Sequence, residues 1–155
     1  MHRHGFLLTP GQWRVDGIFL DAGGVAVAAR GTVLIRHGPD SWHNLTRIEL
    51  STSPARAFEN RYEIAPLVAA AASTPWRAFN AQFGAILGRF VLVEEMILSS
   101  FTSEDGRYQG GETFRRVDDG HYDNAGWLAL GAEVLSRWRL DLHREESLPG
   151  DSQGS

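Results

Sequence analysis

Apolar and polar side chains alternate along nearly the whole chain, and short runs of turn residues separate the alternating stretches. A period of two is typical of antiparallel strands with one buried face, because successive side chains on a strand point to opposite faces of the sheet. The pattern predicts about nine strands. They cover residues 13–20, 25–35, 42–51, 58–64, 77–83, 87–102, 108–117, 122–130 and 133–143.

The segments between these strands are mostly tight turns, such as Asp21-Ala22-Gly23-Gly24 and Asp105-Gly106. The longer stretch 66–75 is predicted to be a loop or a single helical turn. Strands that follow one another through tight turns favour an up-and-down sheet, and a sheet of this size removes its exposed edges by closing. We therefore expect an all-β fold, an up-and-down antiparallel β-barrel of about nine strands. A two-sheet β-sandwich is the alternative.

The length of 155 residues, with 43% hydrophobic and 22% charged residues, fits one domain with one core. The predicted organisation is an N-terminal lead segment at 1–10, the barrel at 11–144 and a disordered tail at 145–155. The tail is polar and contains proline and glycine.

Composition and charge exclude several classes of function. The chain has no cysteine, which rules out disulfides, and its net charge of −4 gives no basic field for nucleic acid. We find no run of about 20 apolar residues for a membrane helix, and the apolar stretch Gly5–Leu8 is too short for a signal peptide. The sequence therefore predicts a cytoplasmic protein with neither nucleic acid nor a membrane as partner.

Gly11-Gln12-Trp13 opens the first long strand directly after the lead segment. This sequence resembles the Gly-x-Trp signature of the lipocalin-like (calycin) barrels. In that superfamily the tryptophan packs at the closed end against an arginine of the last strand, and the resemblance implies Arg137 or Arg139 for that role. Alternation turns both arginines outward unless a bulge intervenes near Gly131. The resemblance covers roughly residues 11–143 and implies a cavity for a small, largely apolar molecule.

Polar side chains share the predicted inner face with aromatic ones. Ligand cavities combine apolar walls with a few polar groups, whereas a solid core avoids polar atoms. The alternative is that these polar groups hydrogen-bond one another or meet water at the barrel mouth. A second aromatic group, Trp76, Phe79 and Phe83, is predicted either to pack in the core or to form a lid. The predicted ligand-binding residues are Trp42, Asn44, Phe58, Asn60, Tyr62, Glu112 and Phe114.

Three titratable residues are candidates for catalysis. Glu94 and Glu95 interrupt an apolar run, so alternation predicts that one of them faces inward, and Glu112 falls on the inner face. Burial would raise the pKa of an inward Glu94 or Glu112 and suit it to general acid or base chemistry, although an ion pair with arginine is the alternative. His43 could meet His37 across one loop. The histidine spacing lacks His-x3-His and predicts no metal and no cofactor.

Three functions remain open at this stage. The first is an intracellular lipocalin-like barrel that binds a small hydrophobic or amphipathic molecule. The second is an isomerase, cyclase or hydrolase on the same barrel with an inward carboxylate. The third is a filled barrel with a structural or interaction role, whose outward Ile18, Leu20 and Leu34 would mark a homodimer face.

Overall fold

The computed structural model describes residues 4–68 and 70–145 and shows ten antiparallel strands in one closed barrel. Each strand pairs with its neighbours in sequence, and β1 also pairs with β10, which closes the sheet. The predicted all-β up-and-down barrel is confirmed, and the sandwich alternative is wrong. The strands are β1 (Gly11–Leu20), β2 (Ala26–His37), β3 (Trp42–Leu50), β4 (Arg56–Ile64), β5 (Ser73–Asn80), β6 (Gly84–Val93), β7 (Met96–Ser103), β8 (Tyr108–Asp118), β9 (His121–Leu130) and β10 (Glu133–Arg144).

The tenth strand arises because residues 87–102, predicted as one strand, form the hairpin of β6 and β7. Glu94 and Glu95 make its two-residue turn, with Val93 paired to Met96. Both glutamates are exposed, so the expectation that one faces inward is wrong. The turn lacks the Asn-Gly or Asp-Gly sequence that usually marks a two-residue hairpin, and Glu94 adopts the positive φ of 50° itself.

The connection before β5 is shorter than predicted, because β5 begins at Ser73. Its ladder with β4 spans only four residue pairs, from Arg61 opposite Phe79 to Ile64 opposite Trp76. The two strands therefore separate toward one end of the barrel. Beyond the last ladder pair, the Asn80 side-chain amide donates to Oδ1 of Asn60 at 2.6 Å and still joins them.

The two ends of the barrel differ. The turns that follow odd-numbered strands gather at one end, which we call the mouth, and residues 4–10, which we call the plug, lie across the opposite, closed end. Phe6 and Leu7 of the plug are each 1% exposed, and the Phe6 ring packs against Trp13 and Tyr122. Phe6 and Leu7 of the plug are thus part of the core.

Hydrogen bonds fix the plug to the strands. His4 Nδ1 lies 2.6 Å from the Tyr122 hydroxyl, and His4 Nε2 lies 2.8 Å from the carbonyl oxygen of Glu94. A carbonyl oxygen only accepts, so His4 Nε2 carries a proton and donates to Glu94, while Nδ1 lies within hydrogen-bond distance of the Tyr122 hydroxyl. Burial raises the pKa of Tyr122 to about 12, which keeps its hydroxyl a donor.

Trp13 is fully buried at the closed end, and the arginine beside it is Arg144. The Arg144 guanidinium lies 5.7 Å from the centroid of the Trp13 ring and donates to the carbonyl of Pro10 at 3.0 Å. The expected partners Arg137 and Arg139 are exposed. The bulge of β10, between Val134 and Ser136, precedes both arginines and leaves them on the outer face.

Parts of the predicted terminal segments lie outside the described residues, namely 1–3 of the lead and 146–155 of the tail. Glu145 is described, and its backbone N–H donates to the carbonyl of Gln12 at 2.9 Å. Within residues 4–68 and 70–145, no helix is long and apolar enough to cross a membrane.

Candidate functional site

The barrel encloses a cavity of about 730 Å³ that extends to the mouth. This volume falls within the roughly 300–1,000 Å³ of small-molecule sites. Phe6 of the plug and Leu142 lie at its closed end, and Asp21, Arg56 and Gln82 lie at the mouth. The walls are mainly apolar, with aromatic and aliphatic side chains together. The aromatic residues of the lining are Phe6, Phe19, Phe58, Tyr62, Trp76, Phe83, Phe90, Phe101, Phe114 and Trp138.

Two glycines leave room for the indole rings of Trp76 and Trp138 to lie close to the backbone of the barrel wall. A Cβ atom at Gly88 would lie 2.2 Å from the Trp76 ring, and one at Gly126 would lie 2.4 Å from the Trp138 ring. Both distances are far below van der Waals contact, so only glycine allows the rings to lie this close to the backbone. The free space of the cavity depends on these two contacts.

Glu112 and Asn124 form a polar pair on the wall made by β8 and β9. The Asn124 amide donates to Glu112 Oε1 at 2.7 Å and to the carbonyl of Thr113 at 3.0 Å. Burial inside the barrel raises the pKa of Glu112 from 4.5 to about 7, while hydrogen bonding from Asn124 and Trp138 opposes the rise. The carboxyl group therefore changes charge near neutral pH.

Tyr62 of β4 also lines the cavity. Burial raises the pKa of its hydroxyl, and the negative charge of Glu112 raises it further. The hydroxyl consequently stays protonated over the physiological range and can donate a hydrogen bond. A donor and a titratable carboxyl group thus face the same enclosed space.

Other polar groups of the lining are already paired with one another. Thr46 donates to Asn44 Oδ1 at 2.7 Å, and the Trp76 indole donates to Ser99 Oγ at 3.1 Å. These bonds satisfy groups that would be costly to bury alone. Part of the predicted polar set therefore stabilises the wall itself.

Six of the seven predicted ligand-binding residues line the cavity, and Trp42 does not. The Trp42 ring stacks on His37 with ring centroids 3.8 Å apart and planes 5° apart. His37 Nε2 in turn donates to the carbonyl of Leu7 in the plug at 2.8 Å. Trp42 has the inward parity that alternation predicts, but it lies at the closed end beside the plug. The residues in the lining are Asn44, Phe58, Asn60, Tyr62, Glu112 and Phe114.

Two of the three catalytic candidates lie outside the cavity. Glu94 is in the exposed β6–β7 turn, and His43 is exposed on the outer face, 3.0 Å from Ser41 Oγ. His43 follows the inward Trp42 on β3 and must therefore point outward. Glu112 is the candidate that faces the cavity.

The three residues of the second predicted aromatic group do not lie together, because they do not all face the same side of the sheet. Trp76 lies in the cavity wall, Phe79 is 66% exposed on the outer face, and Phe83 lies at the mouth. They form neither one packed cluster nor one lid. Leu20, predicted to be outward, lines the mouth, whereas Ile18 is 42% exposed.

The sequence interpretation missed Asn80, Ser99 and Phe101 as lining residues, together with Phe6 of the plug. Ser99 and Phe101 could have been placed once the β6–β7 turn was located, because they have the inward parity of β7. The apolar run that contains Phe6 was the available signal for the plug.

No protein-family model matches the sequence, and no curated protein matches it significantly. The solved structure of the S-type phycobiliprotein lyase CPES from Guillardia theta superposes with a TM-score of 0.65 at 9% identity, covering 91% of this chain and 90% of that chain. That lyase is a lipocalin-like barrel, and at this identity the likeness shows a shared fold alone. A redesigned β-barrel, mFAP1, bound to DFHBI, has a TM-score of 0.49 at 12% identity, covering 92% and 100% of the two chains. This score is too low to support a further conclusion.

Proposed function

We propose that the protein binds a small molecule with an apolar body and one polar end in the barrel cavity. The observation that carries the proposal is the cavity of about 730 Å³, which reaches the mouth and combines aromatic walls with the Glu112–Asn124 pair. The apolar body would lie against the aromatic walls, and the polar end would meet Glu112 and Tyr62. The fold shared with a phycobiliprotein lyase is consistent with a ligand-binding barrel, but the proposal depends on the cavity.

The arrangement at the closed end also supports a place for this chain in the calycin superfamily, which we propose as its origin. Trp13 is the tryptophan of the Gly-x-Trp signature, and Arg144 of the last strand covers its ring. A tryptophan of the first strand and an arginine of the last strand therefore lie together in space, although the arginine is Arg144 and not Arg137 or Arg139.

Ligand binding is tested first by native mass spectrometry of the protein as purified, followed by titration with the neutral hydrophobic dye Nile red. The matched variants are Ala78→Trp and Ala125→Trp. Ala78 lines the cavity and is 7% exposed, whereas Ala125 is exposed on the outer face of β9. We expect saturable dye fluorescence in the native protein and in Ala125→Trp, and its loss in Ala78→Trp because a new indole would fill the cavity.

Equal dye binding by Ala78→Trp and Ala125→Trp would place the dye outside the cavity and contradict the proposal. Circular dichroism of both variants controls for folding. The proposal would be contradicted directly if the folded native protein had the mass of the polypeptide alone and showed no saturable binding of the dye.

A second candidate function, an enzyme on the same scaffold, is favoured by one observation. Glu112 is enclosed, has a pKa of about 7, and shares the cavity with the hydroxyl of Tyr62. A group with a pKa near the working pH serves well as a general base or acid. A hydrolase of this kind would use Glu112 to take a proton from water.

Hydrolysis of a generic p-nitrophenyl ester tests this candidate. A rate above background that rises with pH around a midpoint near 7, and that Glu112→Gln abolishes, would support it. A rate that Glu112→Gln leaves unchanged would assign the activity elsewhere. The dye titration distinguishes the two functions, because Glu112→Gln retains the cavity.

A further inference from the structure

Two strands carry mirror-related metal-ligating sequences outside the cavity. β9 begins with His121-Tyr122-Asp123, and β10 contains Asp141-Leu142-His143 near its end. The antiparallel register places His121 opposite His143 and Asp123 opposite Asp141. The central Tyr122 and Leu142 are buried inside, so the four flanking side chains share the outer face.

These side chains converge on one point. His121 Nε2, one oxygen of Asp123 and one oxygen of Asp141 all lie within 4.8 Å of one another. His121 Nε2 is 2.9 Å from Asp141 Oδ1 and 3.7 Å from Asp123 Oδ1. Ligand atoms around a tetrahedral zinc ion are separated by about 3.4 Å, as bonds of about 2.0–2.2 Å require. The two distances from His121 Nε2 therefore lie within about 0.5 Å of the zinc value, and the two carboxylate oxygens are no more than 4.8 Å apart.

The surroundings hold these ligands in place. Arg115 of β8 pairs with Oδ2 of Asp123, which leaves Oδ1 facing His121. The His143 ring stacks on that of His121 with centroids 4.4 Å apart, and this contact limits rotation of the His121 ring. Such outer contacts are the usual means of orienting metal ligands.

We propose that the outer face of β9 and β10 binds one divalent transition-metal ion of the Zn²⁺ type through His121, Asp123 and Asp141. An imidazole with two carboxylates suits zinc and its neighbours, whereas Mg²⁺ and Ca²⁺ prefer oxygen ligands alone. Asp16 of β1 lies opposite Asp141, beside the site, and its carboxylate is 3.9 Å from the Arg14 guanidinium. Water would complete the coordination. The alternative is an Asp–His–Asp hydrogen-bond network without a metal.

The test uses the full chain. EDTA first removes bound metal, ZnCl₂ is then added, and gel filtration separates the protein from unbound Zn²⁺. Native mass spectrometry measures the mass of the protein that results. We expect one Zn²⁺ per chain in the native protein and none in His121→Ala or Asp141→Asn. His43→Ala is the matched control, because it removes an exposed histidine outside the cluster, and it should retain the ion. Mg²⁺ in place of Zn²⁺ should not be retained.

A second measurement does not depend on the variants folding. Zn²⁺ should shift the backbone amide NMR signals of residues 121–123 and 141–143 in the native protein, and leave those of the mouth turns unchanged. The proposal is overturned if the native protein retains no Zn²⁺, if the folded variants His121→Ala and Asp141→Asn both retain it, or if folded His43→Ala loses it. Retention of Mg²⁺ would contradict the assignment of the site to a transition-metal ion of the Zn²⁺ type.

Discussion

The closed end and the mouth of this barrel are built from the same ten strands, yet one is solid and the other hollow. At the closed end Trp13, Tyr122 and Phe6 are at most 1% exposed and their rings contact one another. Toward the mouth the aromatic side chains line the wall and leave about 730 Å³ unfilled. The plug accounts for the difference, because its apolar side chains fill the barrel at one end only.

This difference implies a division of roles. The largest fully buried side chains, among them Trp13, Tyr122 and Phe6, lie at the closed end, where the apolar area removed from water stabilises the fold. The mouth half is less tightly packed and keeps unfilled space, which the proposed ligand would occupy.

The largest effect is expected from removing an aromatic ring at the closed end. Phe6→Ala should lower the free energy of unfolding by ~3–5 kcal/mol, because it leaves a cavity among Trp13, Phe114 and Tyr122. Phe83→Ala, the same change at the mouth, should cost about 1 kcal/mol or less. Urea unfolding at pH 7 measures both. Equal losses would show that the mouth is as tightly packed as the closed end.

The enclosed carboxyl group of Glu112 should make stability depend on pH. The folded protein keeps this proton up to pH about 7, whereas the ordinary pKa of 4.5 applies in the unfolded chain. Folded protein thus binds more protons between these values, and stability is lost as pH rises from about 4.5 to about 7. Glu112→Gln should remove this loss, which is at most ~3–4 kcal/mol at about 1.4 kcal/mol per pKa unit.

The measurement compares urea unfolding at pH 5 and pH 8.5 in the native protein and in Glu112→Gln. Glu104→Gln, in an exposed turn, is the control and should keep the native pH dependence. An identical pH dependence in all three proteins would show that Glu112 is well hydrated in the cavity.

Crowding the Trp76 indole ring should lower the free energy of unfolding by less than deleting a core side chain does. Gly88→Ala would place a methyl group 2.2 Å from the Trp76 ring, so the ring must move into the cavity at a cost of ~1–3 kcal/mol. Gly111→Ala is the control, because its nearest contact would be 3.3 Å, to the carbonyl oxygen of Ser99. Thermal unfolding measures the cost. Nile red binding should weaken in Gly88→Ala and not in Gly111→Ala.

The smallest effect concerns the hydrogen bonds of the plug. His4→Ala removes bonds to the Tyr122 hydroxyl and the Glu94 carbonyl and should cost ~1–2 kcal/mol. His43→Ala, an exposed histidine on the outer face, should cost no more than ~0.5 kcal/mol. Urea unfolding gives both values. Faster exchange of amide hydrogens in the plug of His4→Ala would locate the change.

Much of the cavity lining followed from alternation alone. Asn44, Asn60, Tyr62 and Glu112 were placed on the inner face from period two, and the structure places them in the lining. Whether they bind a ligand stays a prediction. Strand parity is a local property, set by immediate neighbours along the chain, and a single sequence therefore carries it.

The sequence predictions were wrong where the outcome depends on contacts between residues that are far apart in the chain. Glu94 was assigned to a strand because nothing in its local sequence marks the turn that the β6–β7 pairing requires. Arg144 was overlooked as the neighbour of Trp13, since that contact depends on the register of the two strands that close the barrel. The His121 and Asp141 cluster was missed for the same reason. Its two halves are 20 residues apart, and only the β9–β10 register joins them.

The sequence by itself determined an all-β chain, strands that alternate between an inner and an outer face, and an inner face that mixes aromatic and polar side chains. Only the tertiary structure decided that ten strands close, that residues 4–10 fill one end, and that Glu112 faces an open cavity. The physical reason is that alternation requires only local chain geometry. Register, closure and unfilled space depend on how side chains far apart in sequence pack together.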